Sequence, residues 1–160
     1  MKLNESNYIT RKATLEDLPS LLKFEQELIQ TERPMDKTIR EGNISYYSIE
    51  SFIKSEEIEV IVAEFQGEII ASGYAKIIED RHYLKHRFQG YLGFMFVKEL
   101  HRGKGVNKQI VDSLILWCKA KGVYEIRLDV YDKNPQAIKA YEKAGFEKHL
   151  ITMRLDARNH

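Results

Sequence analysis

Two stretches of this chain carry residue types whose spacing could do chemistry. The first is Phe94-Met95-Phe96-Val97-Lys98-Glu99-Leu100-His101-Arg102-Gly103-Lys104-Gly105-Val106-Asn107-Lys108. It begins as an apolar run, passes through charges, and opens a helix from a basic loop that contains glycine. Backbone N–H groups at a helix start point outward, the helix dipole adds partial positive charge, and glycines let a ligand approach the backbone. Arg102, Lys104 and Lys108 bring side-chain charge to the same place. The pattern is that of an anion site, and a phosphate there would gain charge-assisted hydrogen bonds of about 1.5–3 kcal/mol each. The second stretch is Asn134-Pro135-Gln136-Ala137-Ile138-Lys139-Ala140-Tyr141-Glu142-Lys143-Ala144-Gly145-Phe146, in which Asn134 is a good helix cap and Pro135 a favoured first helical residue.

The elements that must position these stretches can be read from periodicity. Residues 8–13 read as a first strand. Thr14, with Asp17 three positions on, opens a helix whose Leu18, Leu21, Leu22, Glu25 and Leu28 recur at helical spacing, and Pro34 stops it. A loop from Met35 leads to a second helix near residues 48–55. Residues 58–65 are rich in β-branched side chains, and a turn at Gln66-Gly67-Glu68 returns the chain along 69–78, a hairpin. A charged loop over 79–87 holds His82 and His86. The nearly continuous apolar run 89–97 suits a strand covered on both faces. In the helix that follows, Val106, Ile110, Val111, Leu114, Trp117 and Cys118 share one apolar face, and Gly122 ends it. Strands are expected over 124–131 and 146–155, flanking the helix that Asn134 opens and Gly145 closes. The fold class is α/β: a mixed, largely antiparallel central sheet with helices on both faces.

Composition narrows the function. The 160 residues fit a single domain over 1–160, and 43% hydrophobic content is enough to build a full core. With 25 basic and 24 acidic residues the formal net charge is +1, which gives no support to a nucleic-acid-coating protein. One cysteine, Cys118, excludes an internal disulfide and a multi-cysteine zinc site, and its place on an apolar helix face favours an inert thiol. His82 and His86 have no third ligand nearby, so no metal is expected. The opening Met1-Lys2-Leu3-Asn4-Glu5-Ser6-Asn7 lacks the apolar core of a signal peptide, and no apolar run approaches the ~18–20 residues that span a bilayer. A soluble cytoplasmic protein without membrane partners is the expectation.

Taken together, Arg102-Gly103-Lys104-Gly105-Val106-Asn107 resembles the acyl-CoA signature [Gln/Arg]-x-x-Gly-x-[Gly/Ala] of the GCN5-related N-acetyltransferase (GNAT) superfamily. The stretch from Asn134 to Phe146 resembles that family's Asn-x-x-Ala-x-x-x-Tyr-x-x-x-Gly-Phe segment. The resemblance implies a GNAT-like acyl-CoA N-acyltransferase fold and an enzyme that moves an acetyl group from acetyl-CoA to a primary amine. The amine would attack directly in a ternary complex, since no residue suggests an acyl-enzyme nucleophile. It also implies roles by position. Backbone amides of Arg102, Gly103, Lys104, Gly105, Val106 and Asn107 would hold the pyrophosphate, and the pantetheine arm would pair with Met95, Phe96 and Val97 like an added strand. The Val97 N–H would face the thioester oxygen, Asn134 would contact the pantetheine arm, and Tyr141 would protonate the departing thiolate. Asn107 departs from the Gly or Ala usual at its position, and a re-shaped contact is expected there. Residues 91–97 hold no acid, although some members carry a glutamate on that strand, so Glu79, Asp80, His82, Asp129 or a water chain stand as candidate bases. The acceptor would be a small-molecule or peptide amine, and a homodimer is among the expected assemblies. The alternative is a non-catalytic acyl-CoA-binding regulatory domain on the same fold.

Overall fold

The computed structural model describes residues 7–160 of the chain, so the reading of Met1 to Ser6 lies outside the described residues. Strands β1 (Tyr8–Lys12), β2 (Ile58–Phe65), β3 (Glu68–Glu79) and β4 (Phe88–Val97) form an antiparallel sheet in sequence order. A short β5 (Ile126–Arg127) adds parallel to β4. Between them run helices α1 (Leu18–Glu32), α2 (Ile49–Lys54), α3 (Val106–Ala120) and α4 (Pro135–Lys143). The expected α/β class and the mixed, largely antiparallel sheet with helices on both faces are what the chain builds.

Each face of the sheet is covered for a legible reason. In α1, Leu21, Phe24, Glu25 and Ile29 recur every three or four residues and are buried, while Leu22 lies round the helix and is exposed. A 3-10 turn, Leu15–Asp17, precedes this helix, with the Asp17 carboxylate accepting the Thr14 N–H at 2.8 Å. Together α1 and α2 cover Val60, Val62, Tyr74, Phe94 and Phe96. On the opposite face, α3 lays Val106, Ile110, Val111, Leu114 and Cys118 over Ala71, Ala75 and Leu92. Close approach demands glycine at two points beneath α3. A Cβ at Gly73 would stand 2.7 Å from Ile110 Cγ2 and from Met95 Sδ, and one at Gly90 would stand 2.6 Å from Cys118 Sγ.

A bulge in β4 organises the functional end of the sheet. Tyr74 pairs with Gly93 but Ser72 pairs with Phe96, so one extra residue is inserted, and Phe94 takes a φ of 54°. The insertion reverses which side chains face which layer. Gly90 and Leu92 point toward α3 before it. After it Met95 and Val97 do so, while Phe94 and Phe96 join the α1 side, where Phe96 stacks on Phe24 at 4.6 Å. The buried Ser72 hydroxyl donates to the Phe94 carbonyl at 3.0 Å and pins the bulge.

Two sequence expectations differ from the structure at the C-terminal side. The strand expected over 124–131 pairs only at Ile126 and Arg127, because β4 and β5 part company immediately beyond Tyr91 and Arg127. The strand expected over 146–155 joins no ladder. Its alternation of apolar residues is present, but alternation specifies faces and not a pairing edge.

Candidate active site

The parted strands create the site. Lys98 N–H donates to the Ile70 carbonyl at 2.8 Å, so Lys98 and, two residues back, Phe96 point their backbone groups at β3. By the same alternation Val97 and Met95 turn theirs toward the gap between β4 and β5. The structure bears this out at Val97, whose carbonyl accepts Arg102 Nε at 2.9 Å from the open side. Phe96 therefore has its side chain on Phe24 and its backbone toward β3, while Met95 and Val97 line the cleft.

Beside this edge, the basic loop has its glycines and its helix start where the sequence places them. After Val97, a 3-10 turn at Glu99–His101 is anchored by a hydrogen bond between the Tyr8 hydroxyl and His101 Nδ1 at 2.9 Å. Gly103 and Gly105 take φ of 74° and 78°, left-handed values that suit glycine. Gly105 is the N-cap of α3 and offers no side-chain cap, so the N–H groups of the first turn remain open to a ligand. Val106 and Asn107 are the first two helical residues; the substitution at Asn107 thus falls inside the helix. Arg102 and Lys104 are exposed at the loop. Lys108 is directed along the helix instead, paired with Asp112 at 2.7 Å.

Helix α4 packs Tyr141 and Ala144 against the α3 side of the sheet. At its start the Asn134 side-chain oxygen accepts the Ala137 N–H at 3.2 Å, which leaves the donors of its NH₂ group uncommitted to that cap. Tyr141 packs against the α3-side core together with Met95, Val97, Leu128 and Phe146, its ring edge-on to Phe146 at 5.9 Å. No described residue hydrogen-bonds its hydroxyl. Burial first, and the charge of Glu32 second, push the Tyr141 phenol up to about 12, which keeps it protonated.

On the α1 side the structure shows a carboxylate that sequence reasoning missed. Glu32, in the last turn of α1, is half-buried, and its charge makes the phenols of Tyr46, Tyr47, Tyr91, Tyr131 and Tyr141 harder to ionise. Burial, with the charge of Asp36 behind it, raises the Glu32 carboxyl above the ordinary glutamate value. Asp36 accepts the Tyr131 hydroxyl at 2.8 Å, and Asp129 accepts the Tyr91 hydroxyl at 3.1 Å. A second carboxylate, Glu25, is only 1% exposed and holds the wall in place, accepting the N–H groups of Tyr46 at 3.0 Å and Tyr47 at 2.9 Å. The sole sequence signal for Glu32 was its position at the end of an amphipathic helix, which says nothing of chemistry.

The other candidate bases sit elsewhere. Asp80 is tied to His86 Nε2 at 2.6 Å and Gln89 Nε2 at 2.9 Å, and the His86 bond holds its carboxyl below the usual range, which makes it a poor proton acceptor. Glu79 is exposed near Arg87, and His82 is exposed against Tyr83. Asp129 alone of the four accepts a hydrogen bond from one of these tyrosines, Tyr91.

This architecture has relatives. Residues 21–146 match the family model described as Acetyltransferase (GNAT) family. A glucosamine 6-phosphate N-acetyltransferase from Arabidopsis thaliana is 30% identical over 116 residues, 72% of this chain and 75% of that protein. One from Trypanosoma brucei brucei is 31% identical over 90 residues, 56% of this chain and 58% of that protein, so the match spans somewhat over half the relative's length. In fold, the chain is similar to a variant of the BH1408 protein from Bacillus halodurans, with a TM-score of 0.84, 24% identity, and 92% of this chain and 98% of that one covered. The motifs, the bulged and parted strands and these matches agree: the chain belongs to the GNAT family of acetyltransferases.

Proposed function

We propose that this GNAT-family N-acetyltransferase moves the acetyl group of acetyl-CoA to a primary amine that attacks directly while both substrates are bound. The observations that carry the reading are the parting of β4 from β5 beyond Tyr91, the uncapped start of α3 behind a basic glycine-bearing loop, and a Tyr141 hydroxyl with no hydrogen-bond partner among the described residues. The residues fit the ligand. N–H groups of Gly103, Lys104, Gly105, Val106 and Asn107 supply donors for a pyrophosphate, Arg102 and Lys104 supply charge, and Met95 and Val97 supply a strand edge for an amide-bearing arm. Asn134 donates through its NH₂ group.

Val97 N–H faces the place where negative charge develops on the carbonyl oxygen, a contribution of about 2.7–4 kcal/mol for such a donor. Tyr141 gives its proton to the leaving sulfur. Glu32 holds the acceptor's ammonium and, directly or through water, takes its proton before attack, a task helped by the burial that raises its carboxyl. Asp129 and Asp36 add negative potential that draws a cationic amine into the groove.

The carboxylates Asp36 and Asp129, bonded to Tyr131 and Tyr91, favour catalysis on a cationic acceptor over a purely regulatory acyl-CoA site, which needs no acceptor. Glucosamine 6-phosphate, named for two relatives, is the first acceptor to try, followed by small amines and peptide N-termini. Among the described residues no helix is long and apolar enough to cross a membrane, and the reading places the enzyme in the cytoplasm. A thiol-release assay across such acceptors tests it. Acceptor-dependent release that Glu32→Gln reduces while acetyl-CoA still binds is expected, and release that is independent of every amine would overturn it.

A further inference from the structure

Helix α1 buries a carboxylate that takes no part in the proton transfers proposed above. Glu25 is 1% exposed and shares the buried face of the helix with Leu21, Phe24 and Ile29, where a leucine would cover the sheet as well. A carboxylate taken out of water is costly unless donors replace the water. Among the described residues, Glu25 meets only donors. Its Oε2 accepts the N–H groups of Tyr46 at 3.0 Å and Tyr47 at 2.9 Å, and the Ser45 hydroxyl stands 3.2 Å from Oε1 and 3.3 Å from Oε2. The same helix grips the chain farther back. Gln26 Nε2 donates to the Ile44 carbonyl at 2.9 Å, and Arg33 Nη2 to the Arg40 carbonyl at 3.1 Å. Residues 40–47 therefore run back along α1, strapped at both ends, and the strap delivers Tyr47 to one place.

That place is the bulge of β4. The Tyr47 ring lies 5.1 Å from the ring of Phe94 and, edge-on, 5.5 Å from that of Tyr74. Both residues belong to the bulge. Phe94 holds a φ of 54°, a left-handed conformation that a bulky residue keeps only where its surroundings impose it. Tyr74 lies over Gly93, its ring 2.6 Å from where a Cβ would stand. Ser72 fixes the Phe94 carbonyl from β3 at 3.0 Å, and Tyr47 bears on the Phe94 side chain.

We infer that, given the role of Val97 proposed above, Glu25 is a positioning residue for acetyl transfer. By fixing the N–H groups of Tyr46 and Tyr47 it seats Tyr47 on Phe94, and through the bulge it keeps the Val97 N–H aimed at the thioester oxygen. Glu25 touches neither substrate, so its effect reaches the reaction only through Tyr47 and Phe94. This accounts for a buried carboxylate on a helix face that is otherwise apolar.

Three variants test it. Glu25→Met keeps the length of the side chain but leaves both N–H groups unpartnered. In Glu25→Gln the amide oxygen can replace Oε2, and the NH₂ group can donate to Ser45 Oγ, whose own proton serves the Tyr47 carbonyl at 3.1 Å. Tyr47→Leu keeps the backbone bond to Glu25 and removes the ring from Phe94. Backbone amide resonances of the isotopically labelled, ligand-free chain read the bulge directly. Those of Met95 and Val97 should move in Glu25→Met and Tyr47→Leu, return in Glu25→Gln, and leave those of Gly103 and Gly105 in place. The kcat of thiol release should fall at least about tenfold in the first two variants, with the Kd for acetyl-CoA within about threefold. Glu25→Gln should restore most of the rate. Unmoved Met95 and Val97 resonances, moved resonances with an unchanged kcat, or a Glu25→Gln as impaired as Glu25→Met would each overturn the inference. So would a Glu25→Met that no longer unfolds cooperatively, which would make the residue structural. A parent that transfers acetyl to no amine defeats the catalytic reading instead, and the amide resonances still decide whether Glu25 positions the bulge.

Discussion

Replacing Tyr141 by phenylalanine removes one oxygen and little else. The ring packs with Met95, Val97, Leu128 and Phe146 against the α3-side core, and phenylalanine preserves that packing. Because the hydroxyl bonds to no described residue, its loss should leave no orphaned partner, and stability should change by less than about 0.5 kcal/mol. Catalysis is another matter. The phenol is pushed up to about 12 by burial and by Glu32, so it stays protonated at neutral pH and can deliver its proton to a thiolate. Positioned acid catalysis contributes typically 10²–10⁴-fold, and each decade corresponds to about 1.4 kcal/mol in the barrier. Tyr141→Phe should therefore lower kcat by at least about 100-fold, with the Kd for acetyl-CoA within about twofold of the original. The assay pairs steady-state thiol release with calorimetric binding of acetyl-CoA, each on both proteins. A kcat within about threefold of the parent would remove Tyr141 from the chemistry. An equal loss of cofactor binding would make it a wall and not an acid.

Other consequences follow from neighbouring residues. Gly105→Ala places a Cβ on a left-handed cap with φ of 78°, which costs about 1–2 kcal/mol, and thermal unfolding and acetyl-CoA binding should both weaken. Glu32→Gln should lower kcat/KM for the amine by about 10–100-fold while acetyl-CoA affinity is kept. It should also abolish the acidic inflection of the pH profile, which in the parent lies above the ordinary 4.5 because burial raises that carboxyl. Asp17→Asn addresses the fold. The Arg11 guanidinium, at 2.8 Å and 2.9 Å, and the Thr14 N–H hold the Asp17 carboxyl below 3.8. Its stabilising effect is complete above the unfolded value and disappears as pH falls through the folded one. With Arg11 partly solvent-exposed, the loss at pH 7 should be about 2 kcal/mol, shrinking as pH falls below 3.8 in urea titrations; a pH-independent difference would refute it.

The sequence made the loop and its helix legible because both are local. Glycines at 103 and 105, the periodicity of α3 and the Asn134-Pro135 start each act through neighbours in the chain, and the structure forms them where the pattern places them. The bulge was not legible. The apolar run from Leu92 to Val97 conceals a reversal of faces that depends on the pairing of Gly93 with Tyr74 and of Phe96 with Ser72, 19 and 24 residues away. Glu32 was hidden for a similar reason, since the five tyrosines whose phenols its charge affects come from α4, β4 and two loops. Residues 146–155 read as a strand on good grounds, yet a strand needs an edge, and alternation cannot say which edge.

The most direct test of the cleft is calorimetric titration of the protein with acetyl-CoA, with ATP and NAD as controls. Saturable binding of acetyl-CoA alone, weakened at least tenfold by the double charge reversal Arg102→Glu and Lys104→Glu, is the result that the open α3 terminus and the parted strands predict. Absence of binding at high micromolar concentration, or binding indifferent to that reversal, would contradict the assignment of the site.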